Sequence, residues 1–241
     1  MLLTSGNSAK IYCLNWLDKY LSERKDPVKI LDLGCGESLN FVSLLGKYAD
    51  RVNYTGVEPD IKACQLAREN LRGLPATIIH SYAYKLDSQL EGRFDLVVSF
   101  SALEHVFRRL AFLQTAKDYL SDDGYFFINY DAGHFFSNRE RFKNFFGPLL
   151  APLGLEKYYQ SFVKDDEFKR LVKFVGLEII EQKFFNTKLK EVAKVMPPER
   201  REEFVGRWLE TELWLNELNI KYTDNLASVF ETRNFILQRK K

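Results

Sequence analysis

The sequence lacks the features that mark a secreted or membrane-spanning protein. Its three cysteines are odd in number and contain no C-x-x-C pair, which indicates reduced thiols in a cytosol-like compartment. Residues 1–8 lack the basic-then-apolar order of a signal peptide. No apolar run approaches the ~18 residues that a helix needs to span a bilayer. We therefore expect a cytoplasmic protein without a membrane span.

A strong excess of one charge and internal repeats are also missing. The net charge is +2, from 35 basic and 33 acidic residues scattered along the chain, so there is no strong signal for a nucleic-acid partner. With 46% hydrophobic residues over 241 positions, the chain can bury one substantial α/β core. We expect residues 1–241 to form a single domain.

The sequence does contain a glycine turn between a strand and a helix. Residues 29–38 run from the apolar Ile30, Leu31 and Leu33, as in a strand covered on both faces, to Gly34 and Gly36. The glycines let the backbone turn sharply and approach a ligand without an intervening Cβ. The helix that follows presents free N–H groups to that turn. This arrangement predicts a binding site for a nucleotide or nucleoside.

The residues that flank the glycines exclude one phosphate-binding scheme and disfavour another. A P-loop needs Lys and then Ser or Thr after its last glycine, whereas Glu37 and Ser38 follow Gly36. A dinucleotide-binding turn needs a third glycine where Leu39 stands. Asp32 and Glu37 would also repel a pyrophosphate in a poorly solvated turn. These acids suit a cationic ligand without phosphate, and S-adenosylmethionine, with an ammonium and a sulfonium, fits better.

Three motifs, in order, resemble one enzyme family. Residues 31–36 read LDLGCG, residues 56–58 read GVE, and residues 94–106 read FDLVVSFSALEHV. Glu58 follows the turn by about 20 residues, where an acid can reach ribose hydroxyls. Together the motifs resemble class I S-adenosylmethionine-dependent methyltransferases of the small-molecule type. The resemblance implies a Rossmann-like α/β fold: a doubly wound, seven-stranded, mostly parallel sheet with helices on both faces, an antiparallel last strand and helical lid insertions.

A set of cofactor contacts follows from the turn and the resemblance. The contacts are Asp32, Gly34, Cys35, Gly36, Glu58, Pro59, Tyr82, Ala83, Ser99, Phe100 and Ser101. The resemblance places the last three beside the methionyl part of the cofactor. Family members usually carry an acid for the adenine amine at the position of Tyr82. Tyr82 could stack on adenine, or a backbone group could bind the amine instead.

Three residues are candidates for acid–base chemistry on the methyl acceptor. His134 and Asp131 follow the fifth predicted strand, and His105 follows the fourth. The resemblance implies that an acceptor oxygen or nitrogen displaces the sulfonium methyl directly. Positioning of the two reactants then makes the main contribution to catalysis. A general base is needed only if the nucleophile arrives protonated. A structural role is the alternative for each histidine. Asp131 could instead hold a metal, but no second carboxylate has suitable spacing, and we expect no metal.

Periodicity and turn residues predict the surrounding elements. The predicted helices cover residues 8–22, 39–48, 60–71, 103 to about 120 and 165–175. Ser8 is the predicted N-cap of the first helix, and Asp165 or Asp166 that of the last. The first helix, within residues 1–27, is expected to cover the cofactor.

Strand patterns complete the predicted sheet. A turn at residues 122–124 precedes a predicted strand at 125–130. Residues 177–185 form the next predicted strand. Residues 229–239 resemble a final edge strand, and the family likeness places it antiparallel between the fifth and the sixth strands.

Two segments exceed the minimal plan of sheet and helices. Residues 134–161 interleave Phe and Tyr with Arg and Lys, and residues 188–221 read as helical with a break at Pro197 and Pro198. We expect both to cap the acceptor pocket, to keep water out and to select a partly hydrophobic small molecule. Packing of the second segment against another subunit, in a homodimer, stays open.

The sequence also suits two alternative functions. One is a non-catalytic S-adenosylmethionine-binding module or regulatory subunit. It is suggested by Tyr82, which replaces the usual acid, and by Ser38, which stands where many relatives have another glycine. A nicotinamide-dependent oxidoreductase is the other alternative, which Asp32 and Leu39 disfavour.

Overall fold

Seven strands form one sheet in the part of the chain that the structure describes. The structure is a computed structural model that describes residues 7–86, 90, 92–131, 146–147, 149–153, 156, 159–223 and 225–241. The strands are β1 (Val28–Leu33), β2 (Val52–Glu58), β3 (Ala76–His80), β4 (Phe94–Phe100), β5 (Leu120–Asp131), β6 (Leu177–Phe185) and β7 (Thr232–Arg239). The helices are α1 (Ser8–Ser22), α2 (Val42–Lys47), α3 (Ile61–Asn70), α4 (Arg109–Tyr119), α5 (Asp165–Phe174), α6 (Leu189–Val195) and α7 (Arg201–Leu218).

The order of the strands confirms the predicted fold. It runs β3-β2-β1-β4-β5-β7-β6. The first five strands pair in parallel, whereas β7 pairs antiparallel with both β5 and β6. The sheet is therefore Rossmann-like, with the antiparallel last strand between the fifth and the sixth. The prediction of an edge position is wrong, because β7 has a neighbour on each side and its first six residues are buried.

Alternating side chains of the middle strands build an apolar layer on each face of the sheet. Leu31 and Leu33 of β1 belong to one cluster, together with Phe112 of α4 and Phe168 of α5. Ile30 belongs to a second cluster, with apolar residues of α1 and α2. Because neighbouring strand residues point to opposite faces, the two clusters lie on opposite sides of the sheet. Helices thus cover both faces, as predicted.

The start of β5 differs from the prediction. Phe94 of β4 pairs with Leu120, but Leu96 pairs with Tyr125, so four residues of β5 oppose one of β4. A Cβ on Gly124 would lie 2.8 Å from the backbone oxygen of the opposing residue, which explains why glycine stands in this bulge. The predicted separate turn at residues 122–124 is wrong, because these residues stay within the strand.

Two predicted helix caps are wrong. The N-cap of α1 is Asn7, whose Oδ1 accepts a hydrogen bond from a first-turn N–H at 3.2 Å, and Ser8 is the first helical residue. The N-cap of α5 is Lys164, which makes no side-chain cap bond. Asp165 instead binds the guanidinium of Arg233 at 2.8 Å. The carboxylate of Asp165 therefore forms a tertiary ion pair and does not cap the helix.

The predicted helix from residue 103 begins later. Leu103–His105 forms an isolated 3₁₀ turn. Val106 after it is extended, with φ −97° and ψ 118°, so the turn cannot continue as a helix. The helix α4 starts at Arg109. The segment between β4 and α4 is therefore an irregular connection at the end of the sheet where the parallel strands finish.

The helical segment after β6 has the predicted break. A 3₁₀ turn at Pro198–Arg200 separates α6 from α7. Asn216 of α7 binds the backbone of Phe184 in β6 twice, accepting at 2.7 Å and donating at 2.8 Å. Leu189 of α6 and Leu209 of α7 share an apolar cluster with Ile11 of α1. These contacts fix the segment against α1 and the end of β6.

Among the described residues, no helix combines the length and apolar character required to cross a membrane. Cys13, Cys35 and Cys64 are all buried and free.

Candidate functional site

A cleft of about 980 Å³ opens where the parallel strands end. Its lining includes the segments that follow β1, β2, β3 and β4, the last residue of β5, and the beginnings of α1 and α6. In open α/β sheets, ligands bind at this carboxyl edge. The cleft is therefore the place where the predicted site residues have to meet.

The glycine turn has the backbone geometry that its sequence predicts. Gly34 and Gly36 have φ values of +82° and +53°, in the left-handed region that favours glycine. A Cβ on Gly34 would lie 2.6 Å from the Cβ of Ala102, in the segment after β4. Ser38 also has a left-handed φ of 55°, and its Oγ lies 3.1 Å from the hydroxyl of Tyr54. The turn is thus held tightly against both neighbouring strands.

Asp32, at the end of β1, is the acid nearest the turn and is 3% exposed. Its Oδ2 accepts a hydrogen bond from the hydroxyl of Tyr54 at 2.7 Å, whereas its Oδ1 has no hydrogen-bond partner among the described residues. Burial raises the pKa of Asp32 to about 7, although the Tyr54 bond and the charge of Lys10 oppose the rise. At neutral pH the carboxyl is therefore only partly ionised, and a cationic ligand would favour its charged form.

Glu58 joins the turn to the end of β2. Its Oε2 accepts the N–H of Gly36 at 3.0 Å, and its Oε1 accepts the N–H of Asp60 at 2.9 Å. Burial raises the pKa of Glu58, and these two N–H donors counteract it. Each carboxylate oxygen keeps a further lone pair for a ligand hydroxyl in the cleft.

One wall of the cleft is aromatic and contains an acid that sequence reasoning missed. The rings of Tyr82 and Tyr84 stack with centroids 5.4 Å apart. The hydroxyl of Tyr84 donates to Oε1 of Glu156 at 2.6 Å, and Glu156 is only 5% exposed. Glu156 lies far away in sequence, within a segment recognised only by its aromatic residues, so no local signal could have found it.

Two of the three catalytic candidates lie in the cleft. His105 and Asp131 both line it, and Oδ1 of Asp131 accepts a hydrogen bond from the hydroxyl of Thr232 at 2.8 Å. Lys10 of α1 also lines the cleft, and sequence reasoning missed it because it reads as a solvated helix residue. His134 lies outside the described residues.

The predicted cofactor contacts meet in the cleft with one exception. Those that line it are Asp32, Gly34, Cys35, Gly36, Glu58, Pro59, Tyr82, Ala83, Phe100 and Ser101. Ser99 is fully buried and is not among the described lining residues. Side chains alternate along a strand, so its neighbour Phe100 takes the place facing the cleft. Within the described part of the chain, no three His, Cys, Asp or Glu side chains form a group able to hold a metal ion.

A family comparison identifies the chain. The profile described as the methyltransferase domain matches residues 9–182, which is more than half of the sequence. The chain belongs to the methyltransferase domain family. The predicted likeness to class I S-adenosylmethionine-dependent methyltransferases is thereby confirmed, and S-adenosylmethionine is the cofactor of this methyltransferase.

Individual relatives of the methyltransferase agree with this assignment. The ubiquinone biosynthesis O-methyltransferase of Aromatoleum aromaticum is 27% identical over 180 residues, which are 70% of each chain. The plantazolicin methyltransferase BamL superposes with a TM-score of 0.58 at 16% identity, covering 97% of this chain and 85% of its own. An S-adenosylmethionine-dependent methyltransferase from Clostridium acetobutylicum has a TM-score of 0.59 at 11% identity, covering 97% and 92%. At such identities the two structures support the fold.

The residues of the cleft fit the cofactor. Oδ1 of Asp32 is a buried acceptor without a partner among the described residues, as expected where a ligand supplies the missing donor. The backbone at Gly34 leaves no room for a Cβ, as expected for a turn that packs closely. No lysine lines the turn itself to neutralise a phosphate, since residues 34–40 contain none.

Proposed function

We propose that this methyltransferase transfers a methyl group to an oxygen or nitrogen of a small, partly hydrophobic molecule by direct in-line displacement. The observation that carries the proposal is one cleft whose lining includes both the acidic glycine turn and the pair His105 and Asp131. Donor and acceptor can therefore be bound side by side. Holding both in near-attack geometry is the main contribution that a protein makes to such a reaction.

We assign the cofactor-binding residues from their positions in the cleft. Asp32 faces the cationic methionyl part, Glu58 binds the ribose hydroxyls, and Tyr82 with Ala83 contacts the adenine. Gly34 to Gly36 bring the backbone against the nucleoside. The unpartnered Oδ1 of Asp32 supports the assignment of a cationic group to this end of the turn.

The bound cofactor supplies an electrophilic methyl group on a sulfonium. The residues of the chain then have to place the acceptor atom in line and keep water away. Positioning matters more than charge near the sulfur, because the sulfonium charge disappears as the reaction proceeds. His134, His105 and Asp131 are the candidates to accept a proton if the nucleophile arrives protonated.

Several features support a small acceptor with an apolar part. Phe100, Val106 and Phe112 line the cleft together with the polar groups. The curated relative is named an O-methyltransferase, which favours oxygen as the methylated atom. Lys188 and Lys190 from the segment after β6 also line the cleft, which supports the segment's role as a cap.

The remaining assignments extend the same proposal. We propose that residues 1–241 form a single methyltransferase domain and that residues 134–161 complete the cap. Association of two chains through residues 188–221 is compatible with their exposed side chains, such as Trp214. The three buried, free thiols support a cytoplasmic location.

The proposal is tested in two steps. Calorimetric titration with S-adenosylmethionine comes first, and the release of S-adenosylhomocysteine is then measured with a panel of phenols, carboxylic acids and amines. We expect binding, and turnover with at least one oxygen acceptor. The His134→Ala variant should keep its affinity for the cofactor and turn over more slowly. Binding without turnover on the whole panel would favour a non-catalytic module.

A further inference from the structure

Lys10 is a cation that lines the cleft, and its charge interacts with that of Asp131, one of the candidates to act on the acceptor. It lies in the first turn of α1, where its backbone N–H donates to the N-cap Asn7. Its side chain is half-buried and lines the cleft. The ammonium makes no hydrogen bond or ion pair with any other described residue. Burial without a directly bonded acceptor is unfavourable for an ammonium, so the position of Lys10 suits a ligand that supplies one.

The charges around Lys10 define its position in the cleft. Burial lowers its pKa, while Asp131, Glu104 and Asp32 raise it and the nearby Lys190 lowers it further. Asp32 is the residue before the last one of β1 and Asp131 ends β5, so Lys10 lies near both the acid beside the glycine turn and the candidate for the acceptor. This is the boundary at which a methyl donor and its acceptor would meet.

We propose that Lys10 binds the acceptor oxygen and holds it as an anion, so that the acceptor is a phenol or an enol. This inference rests on the proposed function. An ammonium donates hydrogen bonds and accepts none, so it pairs with an oxygen anion and repels a protonated amine. The apolar side chains of Phe100, Val106 and Phe112 suit the carbon skeleton of such a molecule.

The reaction balances without a further reagent. The hydroxyl loses its proton to water when the acceptor binds as its anion. A lone pair of the oxygen then forms the bond to the methyl carbon, and the carbon–sulfur bond breaks with its electrons remaining on sulfur. Lys10 keeps its proton throughout, and it acts by lowering the pKa of the bound hydroxyl.

The test uses 4-nitrophenol, whose anion is coloured, with S-adenosylhomocysteine present in every sample. The variants are Lys10→Met, Lys10→Arg and, as a matched control, Lys19→Met, which removes an exposed lysine of the same helix that is not among the lining residues of the cleft. The neutral ether 4-nitroanisole serves as the ligand control. Absorbance titrations over pH give the affinity for the anion and the apparent pKa of bound 4-nitrophenol.

We expect the wild-type protein to bind the anion and to lower the apparent pKa of the bound phenol. Lys10→Met should weaken binding of the anion about tenfold or more, the equivalent of one charged contact. It should also return the phenol's pKa towards its value in water. Lys10→Arg should retain most of the affinity, and Lys19→Met all of it. The affinity for 4-nitroanisole should be the same in every protein.

Three results would overturn the inference. The first is unchanged affinity of Lys10→Met for the 4-nitrophenol anion. The second is a loss of affinity for 4-nitroanisole in Lys10→Met as large as the loss for the anion. The third is no binding of 4-nitrophenol by the wild-type protein. If Lys10→Met does not fold, Lys10→Gln replaces it with the same expectations. Calorimetry with S-adenosylhomocysteine separates the two levels: no binding to the wild-type protein contradicts the proposed function, whereas normal binding with no effect of Lys10 contradicts this inference alone.

Discussion

Replacing Asp32 by Asn should stabilise the fold while it weakens cofactor binding. The folded protein keeps the carboxyl protonated up to a pH of about 7, whereas its ordinary pKa is 3.8. At pH 8 this difference corresponds to about 4 kcal/mol of lost stability. An amide cannot ionise and avoids this loss, but burying its unpartnered N–H groups costs about 1–2 kcal/mol. We expect a net gain of about 2 kcal/mol at pH 8.

The stability that Asp32→Asn gains over the wild type should increase as the pH rises. Below about pH 4, Asp32 is protonated in both the folded and the unfolded chain, so its ionisation has no effect on stability. Between about pH 4 and 7, only the unfolded chain loses this proton, and the wild-type stability falls as the pH rises. Above about pH 7 the difference stays constant. The advantage of Asp32→Asn should therefore appear across this window and then level off.

Urea unfolding followed by tryptophan fluorescence, at pH 4.5 and at pH 8, measures the effect. Glu37→Gln is the matched control, because this exposed acid lines the same turn and should change stability by less than about 0.5 kcal/mol at either pH. An Asp32→Asn variant less stable than wild type at pH 8, or equally stabilised at both pH values, would refute the reasoning. Titration with S-adenosylhomocysteine should show that the variant binds at least about tenfold more weakly.

Three further substitutions test other contacts. Gly34→Ala should destabilise the fold by about 2 kcal/mol in urea unfolding and abolish cofactor binding. The reason is that φ of Gly34 is +82° and that the new Cβ would lie 2.6 Å from the Cβ of Ala102. Gly46→Ala is the control and should have neither effect, because its new Cβ would have no neighbouring atom within 4 Å. Glu104→Gln should stabilise the fold for the same reason as Asp32→Asn. Its gain in the free energy of unfolding should level off near pH 8, since burial raises the pKa of Glu104 to about 8. Asp165→Asn should cost about 1–3 kcal/mol, because buried Arg233 loses the carboxylate 2.8 Å away; an unchanged urea midpoint would contradict this.

The glycine turn and the sheet could be predicted from the sequence because local requirements determine them. Gly34 and Gly36 stand where the backbone is left-handed, and Glu58 ends the neighbouring strand. Parallel strands that finish at one edge then bring these residues together. The same logic placed Asp131 correctly in the cleft.

Residues that reach the cleft from distant segments could not be predicted in this way. Lys10 and Glu156 carry no local signal, because a lysine in a helix and a glutamate in a connection are ordinary surface residues. The raised pKa of Asp32 likewise depends on its complete burial and on Tyr54, which lies in a different strand. Packing, rather than sequence spacing, decides these properties.

Local rules also failed where a tertiary contact competed with them. Asp165 at the start of a helical pattern indicated a cap, but Arg233 from β7 binds its carboxylate. Residues 122–124 indicated a turn, but pairing with β4 keeps them in the strand as a bulge. In both places the error is one of boundary, and the predicted element itself is present.

Calorimetric titration with S-adenosylmethionine at pH 6.5, in two buffers of different ionisation heat, tests the central claim most directly. A cation that binds beside Asp32 lowers its pKa from about 7, so binding should release a substantial fraction of one proton. The release should vanish at pH 8.5 and in Asp32→Asn. Absence of binding, or binding of the same strength and without proton release in both proteins, would contradict the account.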